Sequence, residues 1–233
     1  MRLQEAMIEE AAYVKDKLNG INTNLIERIA KYGYYDLDKY FRDKKEYLFK
    51  NWTPEIYYIN EDFLDIQMEL SIINKQYGIY IISPQSKYYA FHGNDEIDFE
   101  ECENLGVRVI EMHYRGGTII GSANDFGIMF VVPNEILLDG GTITSKMLQI
   151  MQKYIPNAIV VGNDILIDGK KVAGSMQRYV NGVFIWAAQF SFENHDNLIE
   201  LICKKKSTKS PGVIDENLLS RDIFEKEVLL WVC

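Results

Sequence analysis

The chain has 233 residues, enough for one large α/β or α+β domain with a continuous core and a small appendage. Its 47% hydrophobic and 25% charged content is ordinary for a soluble globular protein, and a net charge of −9 argues against general nucleic-acid binding, which needs clustered cations. Three widely spaced cysteines (Cys102, Cys203, Cys233) form no CxxC pair, and three histidines (His92, His113, His195) lack metal-ligand spacing, so a reducing compartment is expected and a structural zinc site is not.

Acidic residues interrupt every apolar run of the N-terminus, which reads as neither a signal peptide nor a membrane span. No later run is long and apolar enough to cross a bilayer, so a cytoplasmic location with no membrane partner is expected. Residues 3–50 read as helix. Leu3, Ala6, Met7, Ile8, Ala11, Ala12 and Val14 can line one face up to Gly20. A second helix follows through Leu25, Ile26, Ile29 and Ala30. A third starts at Asp36 and carries Tyr40, Phe41, Tyr47 and Leu48, ending at Trp52-Thr53-Pro54. Residues 1–55 are therefore expected to be a helical extension, with 56–233 as the main domain.

Beyond it, Glu61–Asn74 reads as helix, and Ile79–Ile82 and Tyr88–Phe91 as strands around the turn-forming Ser83-Pro84-Gln85-Ser86. Asp98–Asn104 reads as a short acidic helix before Gly106, Val107–Met112 as a strand, and Gly127–Pro133 as another. Ser145–Tyr154 is expected to be a helix capped by Ser145 or Thr144. A hairpin follows: Ala158–Val161, Ile165–Ile167, a tight primed turn at Asp168-Gly169, then Lys171–Ser175. Val183–Phe192 continues the sheet, and His195–Cys203 and Glu216–Phe224 read as helices. The basic run Lys204-Lys205-Lys206 with Lys209 reads as a solvated surface. The whole predicts an α+β fold, a mixed or antiparallel central sheet flanked by helices.

Two stretches carry chemistry. In Arg115-Gly116-Gly117-Thr118, glycines after a strand let backbone N–H groups approach an anion, and the arginine adds a permanently charged donor fork. Taken alone, this tetrapeptide reads more readily as a β-bulge or tight turn with a surface arginine. In the hairpin, if Val172 faces the core, Lys171 points to the other face of the sheet. Small residues Ala173-Gly174-Ser175 then leave room for a ligand beside the lysine stem, while Lys170 is solvated next to the turn.

Residues 163–178, Asn-Asp-Ile-Leu-Ile-Asp-Gly-Lys-Lys-Val-Ala-Gly-Ser-Met-Gln-Arg, resemble the signature hairpin of the lipoate–protein ligase and biotin–protein ligase superfamily. The ending Gly174-Ser175-Met176-Gln177-Arg178 is nearer the lipoate branch, and Val109 through Arg115-Gly116-Gly117-Thr118-Ile119 resembles the same family's arginine and glycine-rich segment. The resemblance covers residues 60–215 and implies an ATP-dependent ligase. A lipoate-like acid and ATP form an acyl adenylate with loss of pyrophosphate, and a lysine of an acceptor domain takes the acyl group. By the same resemblance, Lys171 is the essential lysine, set against the acyl carboxylate and α-phosphate. Arg115, Gly116, Gly117 and Thr118 hold acyl chain and phosphate. Asn163, Asp164, Gly174 and Ser175 hold the nucleotide, with Asp164 reaching its magnesium.

The chain departs from the family pattern at several places. Only two glycines follow Arg115, the usual histidine is replaced, with Ser122 the nearest equivalent, and the loop is longer. Gly162 stands where a basic residue precedes Asn-Asp, and the usual His-Gly is replaced around Trp186-Ala187. Little chain follows Pro211-Gly212, so the small C-terminal accessory domain of some lipoate ligases is not expected. Two alternatives remain open. One is a ligase-fold binding or structural module without catalysis. The other is a carrier-dependent octanoyl or lipoyl transferase, although residues 180–195 lack the cysteine nucleophile that such enzymes use. Cys203, near lysines at a helix end, reads more readily as an ordinary cysteine.

Overall fold

Parallel neighbouring strands cannot be joined by a tight turn and need a crossover, and two such units open the domain. The computed structural model describes residues 54–93, 96–112, 117–133, 140–204 and 210–232. The first unit pairs β1 (Ile56–Ile59) parallel with β2 (Gly78–Ile82) across helix α1 (Leu64–Asn74), which a 3-10 turn at Glu61–Phe63 precedes. The second pairs β3 (Tyr88–His92) parallel with β4 (Val107–Glu111) across the short helix α2 (Phe99–Asn104). All other pairings between named strands are antiparallel. They involve β5 (Ile119–Ser122), β6 (Phe126–Pro133), β7 (Ile159–Val161), β8 (Asp164–Ile167), β9 (Lys170–Val180) and β10 (Val183–Phe190). Two sheets result among the described residues: a seven-stranded one in the order β1-β2-β6-β10-β9-β8-β7, and a three-stranded one in the order β4-β3-β5. Helices α3 (Gly140–Gln152), α4 (Asp196–Ile202) and α5 (Arg221–Val232) complete the α+β architecture with its mixed central sheet.

Strands β2, β6 and β10 are nearly continuous apolar runs because the large sheet is covered on both faces. On one face α3 contributes Ile143, Met147, Ile150 and Met151, and α5 contributes Phe224, Val228 and Val232. They pack over Phe130, Phe184, Trp186 and Phe190. On the other face Leu64, Met68 and Ile72 of α1 lie beside Tyr89, Phe91 and Ile110 of the small sheet, over Met129, Val131, Ile185 and Ala187. The far face of the small sheet is closed by Cys102 of α2 and Ile202 of α4 over Ala90, Val107 and Ile120.

The helical extension expected over residues 1–55 lies, up to residue 53, outside the described residues, as do Arg115, Gly116, Lys205, Lys206 and Lys209. Several boundaries differ from expectation for identifiable reasons. Strand β5, which directly follows the glycine motif, was not expected. Helix α3 begins at Gly140 rather than Ser145, because the Thr144 hydroxyl is engaged on the buried side, accepting a hydrogen bond from Trp186 Nε1 at 3.2 Å. It is a tertiary contact, not a cap. The last helix starts at Arg221 rather than Glu216. Asp215 closes a turn of its own, its carbonyl accepting from Leu218 and Leu219 N–H at 3.0 Å each, and Ser220 Oγ then accepts from Ile223 N–H at 3.4 Å. The primed turn expected at Asp168-Gly169 forms, with φ of 51° and 77°, and Asn181-Gly182 repeats it between β9 and β10 with 49° and 79°.

Glu61, only 1% exposed, anchors the start of the α1 crossover by accepting Gln85 N–H at 2.8 Å and Ser86 N–H at 2.7 Å. Burial by itself would raise its pKa, but the hydrogen bonds from Ser86 and Gln85 more than offset this and hold it below the usual carboxylate value. A lowered folded pKa stabilises the fold above the unfolded value and ceases to do so as pH falls through the folded value. Urea titrations of Glu61→Gln should therefore show a flatter decline of stability than the parent between roughly pH 5 and pH 3. Parallel curves would refute this role.

Candidate functional site

Lys171 and Gly174 are three residues apart on β9, so regular alternation would put them on opposite faces. A β-bulge prevents this. The pairing with β8 shifts from Ile165↔Ala173 to Leu166↔Lys171, leaving Val172 as the extra residue. Val172 and Ala173 consequently both enter the core beneath α3, at 1% and 4% exposure. Alternation is reset, and Lys171 emerges on the face that carries Asp164 and Gly174, the face turned toward the small sheet.

There the Lys171 ammonium lies 2.9 Å from Asp164 Oδ1. A Cβ added to Gly174 would fall 2.8 Å from both Cε and Nζ of Lys171 and 3.3 Å from Asp164 Oδ1, so the lysine lies flat over the glycine. The two side chains retain 39% and 18% exposure, which places the pair at the solvent rim and limits its stabilising contribution to about 1 kcal/mol. The backbone of Lys171 is clamped from the other side. Its N–H donates to Ser210 O at 2.9 Å, and its carbonyl accepts from Gly212 N–H at 2.8 Å.

The nucleotide residues expected from the hairpin separate into two groups. Asp164 and Gly174 share the lysine's face. Ser175, next along β9, points to the α3 side, with its Oγ 3.5 Å from Thr144 Oγ1 and donating to the carbonyl of the exposed Asn163 at 2.9 Å. Asn163 thus contributes its backbone to the hairpin rather than its side chain to the lysine.

A buried polar junction links this face to the small sheet. Gln189 stands directly opposite Gly174 in register, and its Nε2 donates to Ile120 O at 3.1 Å and Asp125 Oδ2 at 3.4 Å. Asp125, fully buried, also accepts from Ser122 N–H at 3.0 Å, Phe192 N–H at 2.8 Å and Glu193 N–H at 3.2 Å, and it meets His195 Nε2 at 2.6 Å. Beside it, burial would raise the pKa of Glu193, but hydrogen bonds from Ser122, Tyr88 and Asn124 lower it on balance. Gly117 and Thr118 directly precede β5, whose Ile120 carbonyl is tied through Gln189 to the strand position opposite Gly174. The segment around them is pinned to the end of β3 by Gly93 N–H donating to Thr118 Oγ1 at 3.4 Å and Met112 N–H to His92 O at 3.2 Å.

Sequence reasoning missed Gln189, Asp125 and the Ser210–Gly212 clamp. A glutamine inside the apolar run Val183–Phe192 was the one available signal. Cys102 and Cys203 pack in the cluster beyond the small sheet, and burial, followed by the charges of Asp98 and Glu101, pushes the Cys102 thiol up. Among the described residues no group of three or more His, Cys, Asp or Glu could hold a metal ion, and no helix is long and apolar enough to cross a membrane.

The two stacked sheets with their flanking helices share their fold with solved lipoate–protein ligases. Plasmodium falciparum LipL1, solved in complex with lipoate, superposes with a TM-score of 0.60 at 14% identity, over 76% of this chain and 61% of that one. The chain thus spans about three fifths of the length of that protein. An archaeal bipartite lipoate protein ligase from Thermoplasma acidophilum, studied with its E2 lipoyl domain, gives 0.53 at 15% identity over 76% and 81%. Lipoate-protein ligase A bound with ATP gives 0.57 at 16% identity over 77% and 84%. No family model matches the chain, and no curated protein matches it in sequence.

Gly121 sits where β5 meets Gln189. A Cβ there would lie 2.2 Å from Gln189 Nε2 and 2.5 Å from Tyr89 OH, and both neighbours are buried. Gly121→Ala should destabilise the fold by roughly 1–3 kcal/mol, measured by urea unfolding. Tyr89 OH, by contrast, is buried with no hydrogen-bond partner among the described residues. Tyr89→Phe should leave stability unchanged or raise it by up to about 1 kcal/mol, because an unpaired hydroxyl is removed. A clear loss would mean that the hydroxyl is satisfied in solution.

Proposed function

We propose that the chain is an ATP-dependent acyl–protein ligase acting on lipoate or a related short or medium-chain acid. The carrying observation is the β-bulge that sets the Lys171 ammonium beside Asp164, over a glycine, in a fold whose solved members include one with lipoate and one with ATP.

In this reading an oxygen of the acid's carboxylate attacks the α-phosphorus of ATP, and pyrophosphate leaves. The resulting acyl adenylate passes its acyl group to the amine of an acceptor-domain lysine, releasing AMP. Lys171 approaches the carboxylate and the α-phosphate and neutralises the charge gathering between them. Bare Gly174 lets the lysine stem lie flat against β9, in a space that a Cβ would fill, and so fixes where the ammonium meets the ligand. Asp164 orients the ammonium before substrate binds, and the substrate's anionic groups then take its place. A magnesium ion arriving with ATP needs only one or two protein carboxylates besides the phosphates, and Asp164 is the carboxylate at hand. Gly117 and Thr118, with Arg115 and Gly116 before them, belong to the acyl and phosphate side of the site. Ser175 and Asn163 contribute by holding the hairpin. The division into an extension over 1–55 and a catalytic domain over 56–233 belongs to the same reading.

The test is pyrophosphate release with ATP, magnesium and lipoate, octanoate or biotin in turn. Release with lipoate or octanoate is expected, falling at least about a hundredfold in Lys171→Ala. Gly174→Ala should reduce it too, while unfolding within about 1 kcal/mol of the parent, because only a rim ion pair is disturbed. Absence of release with every acid rejects the ligase reading. Release unaffected by Lys171→Ala rejects the role given to the lysine. Acyl transfer from a carrier without ATP would favour the transferase, a reading that the position of Cys102 and Cys203 beyond the small sheet does not support.

A further inference from the structure

Helix α1 is apolar on two sides. Leu64, Met68 and Ile72 are buried against the large sheet. Phe63, at its N-terminal boundary, and Ile66, Leu70 and Ile73 recur at helical spacing on the opposite side, at 53%, 52%, 42% and 71% exposure. Scattered surface apolar residues are ordinary; four in one stripe along a helix are the pattern of a helix packed on both sides.

The path of the chain says what covers it. β1 runs parallel to β2, so its start lies at the end of the sheet where α1 finishes. There Ile79 N–H donates to Glu55 O at 2.8 Å, only a few residues beyond Asn74, the last residue of α1. The described chain therefore begins at the end of the sheet where α1 finishes, the Ile73 end of the stripe. The sequence immediately upstream, residues 36–50, carries Leu37, Tyr40, Phe41, Tyr47 and Leu48 at helical spacing. As a helix it would be about 22 Å long, against about 15 Å from Phe63 to Ile73. The link 51–53 can bridge about 10 Å.

We infer that the outer face of α1 is the docking surface for residues 36–50, which pack along it as an amphipathic helix running parallel to α1. This goes beyond the ligase reading and does not depend on it.

Trypsin cleavage of the full chain, mapped by mass spectrometry, tests the inference, because the segment's own lysines and arginine report its protection. Phe41→Asp and Leu70→Asp should each speed cleavage within residues 36–50 by about tenfold or more, with the rest of the chain cut as before. The double variant should be cut no faster than the faster single one, since both changes break one contact. Ile73→Gln repeats the test with a milder change. Cleavage of 36–50 at the same rate in parent and variants would overturn the inference. So would a fall in oligomeric mass of Leu70→Asp by sedimentation, which would give the stripe to a second copy of the chain.

Discussion

A carboxylate with no access to water must find its hydrogen bonds inside the protein, and the arrangement of the two sheets depends on how Asp125 does so. It sits in the turn between β5 of the small sheet and β6 of the large one. Its oxygens gather N–H groups from that turn, from the segment after β10, and from the Gln189 side chain, together with the ring of His195. Removing any donor would strand part of a desolvated charge, so the turn, the end of β10 and the start of α4 hold one another in place. The small sheet is thereby fixed against the large one. The spacing is so close at Gly121 that even a methyl group has no room.

The site is a consequence of that fixed offset. The large sheet is wider than what packs on its inner side. Its central strands are buried beneath α1 and the small sheet, whereas β9 from Gly174 to Val180 is half-buried throughout. Lys171 emerges at this margin. It is sheltered enough to be held by Asp164 and the Ser210–Gly212 clamp, while its side chain stays partly open to solvent. Gln189 makes the connection physical. One end of it is tied to Ile120 of the small sheet, and the residue stands in register with the glycine under the lysine. Tyr89 OH, Gln189 Oε1 and His195 Nδ1, which have no hydrogen-bond partner among the described residues, are the cost of joining two sheets through polar side chains.

Much of this was legible in the residues. The apolar runs at Ile79–Ile82, Gly127–Pro133 and Val183–Phe192 marked the central strands, since strands buried on both faces have no polar side to show. Asp168-Gly169 marked its turn because few residues other than glycine, asparagine and aspartate accept a positive φ. The Asn163–Ser175 hairpin pointed to Lys171 and to a ligase-like fold, and that fold is what the solved structures share with this chain. The misplaced helix starts at Ser145 and Glu216 have a common origin: Thr144 and Asp215 are good capping residues in isolation, but their hydrogen bonds go to Trp186 and to a separate turn.

Local pattern by itself therefore determined which segments are strands or helices, where the hairpin turns, and which lysine deserved notice, because propensity and periodicity act over a few neighbouring residues. Only the tertiary structure decided where that lysine points. Simple alternation would have put Lys171 and Gly174 on opposite faces, and one extra residue at Val172, accommodated because the core beneath α3 accepts two small side chains in succession, brought them together. The pairing of Gln189 with Ile120 and the clamp of Ser210–Gly212 on Lys171 likewise join residues far apart in the chain. Such contacts leave no periodic trace, since they exist only once the two sheets have been stacked.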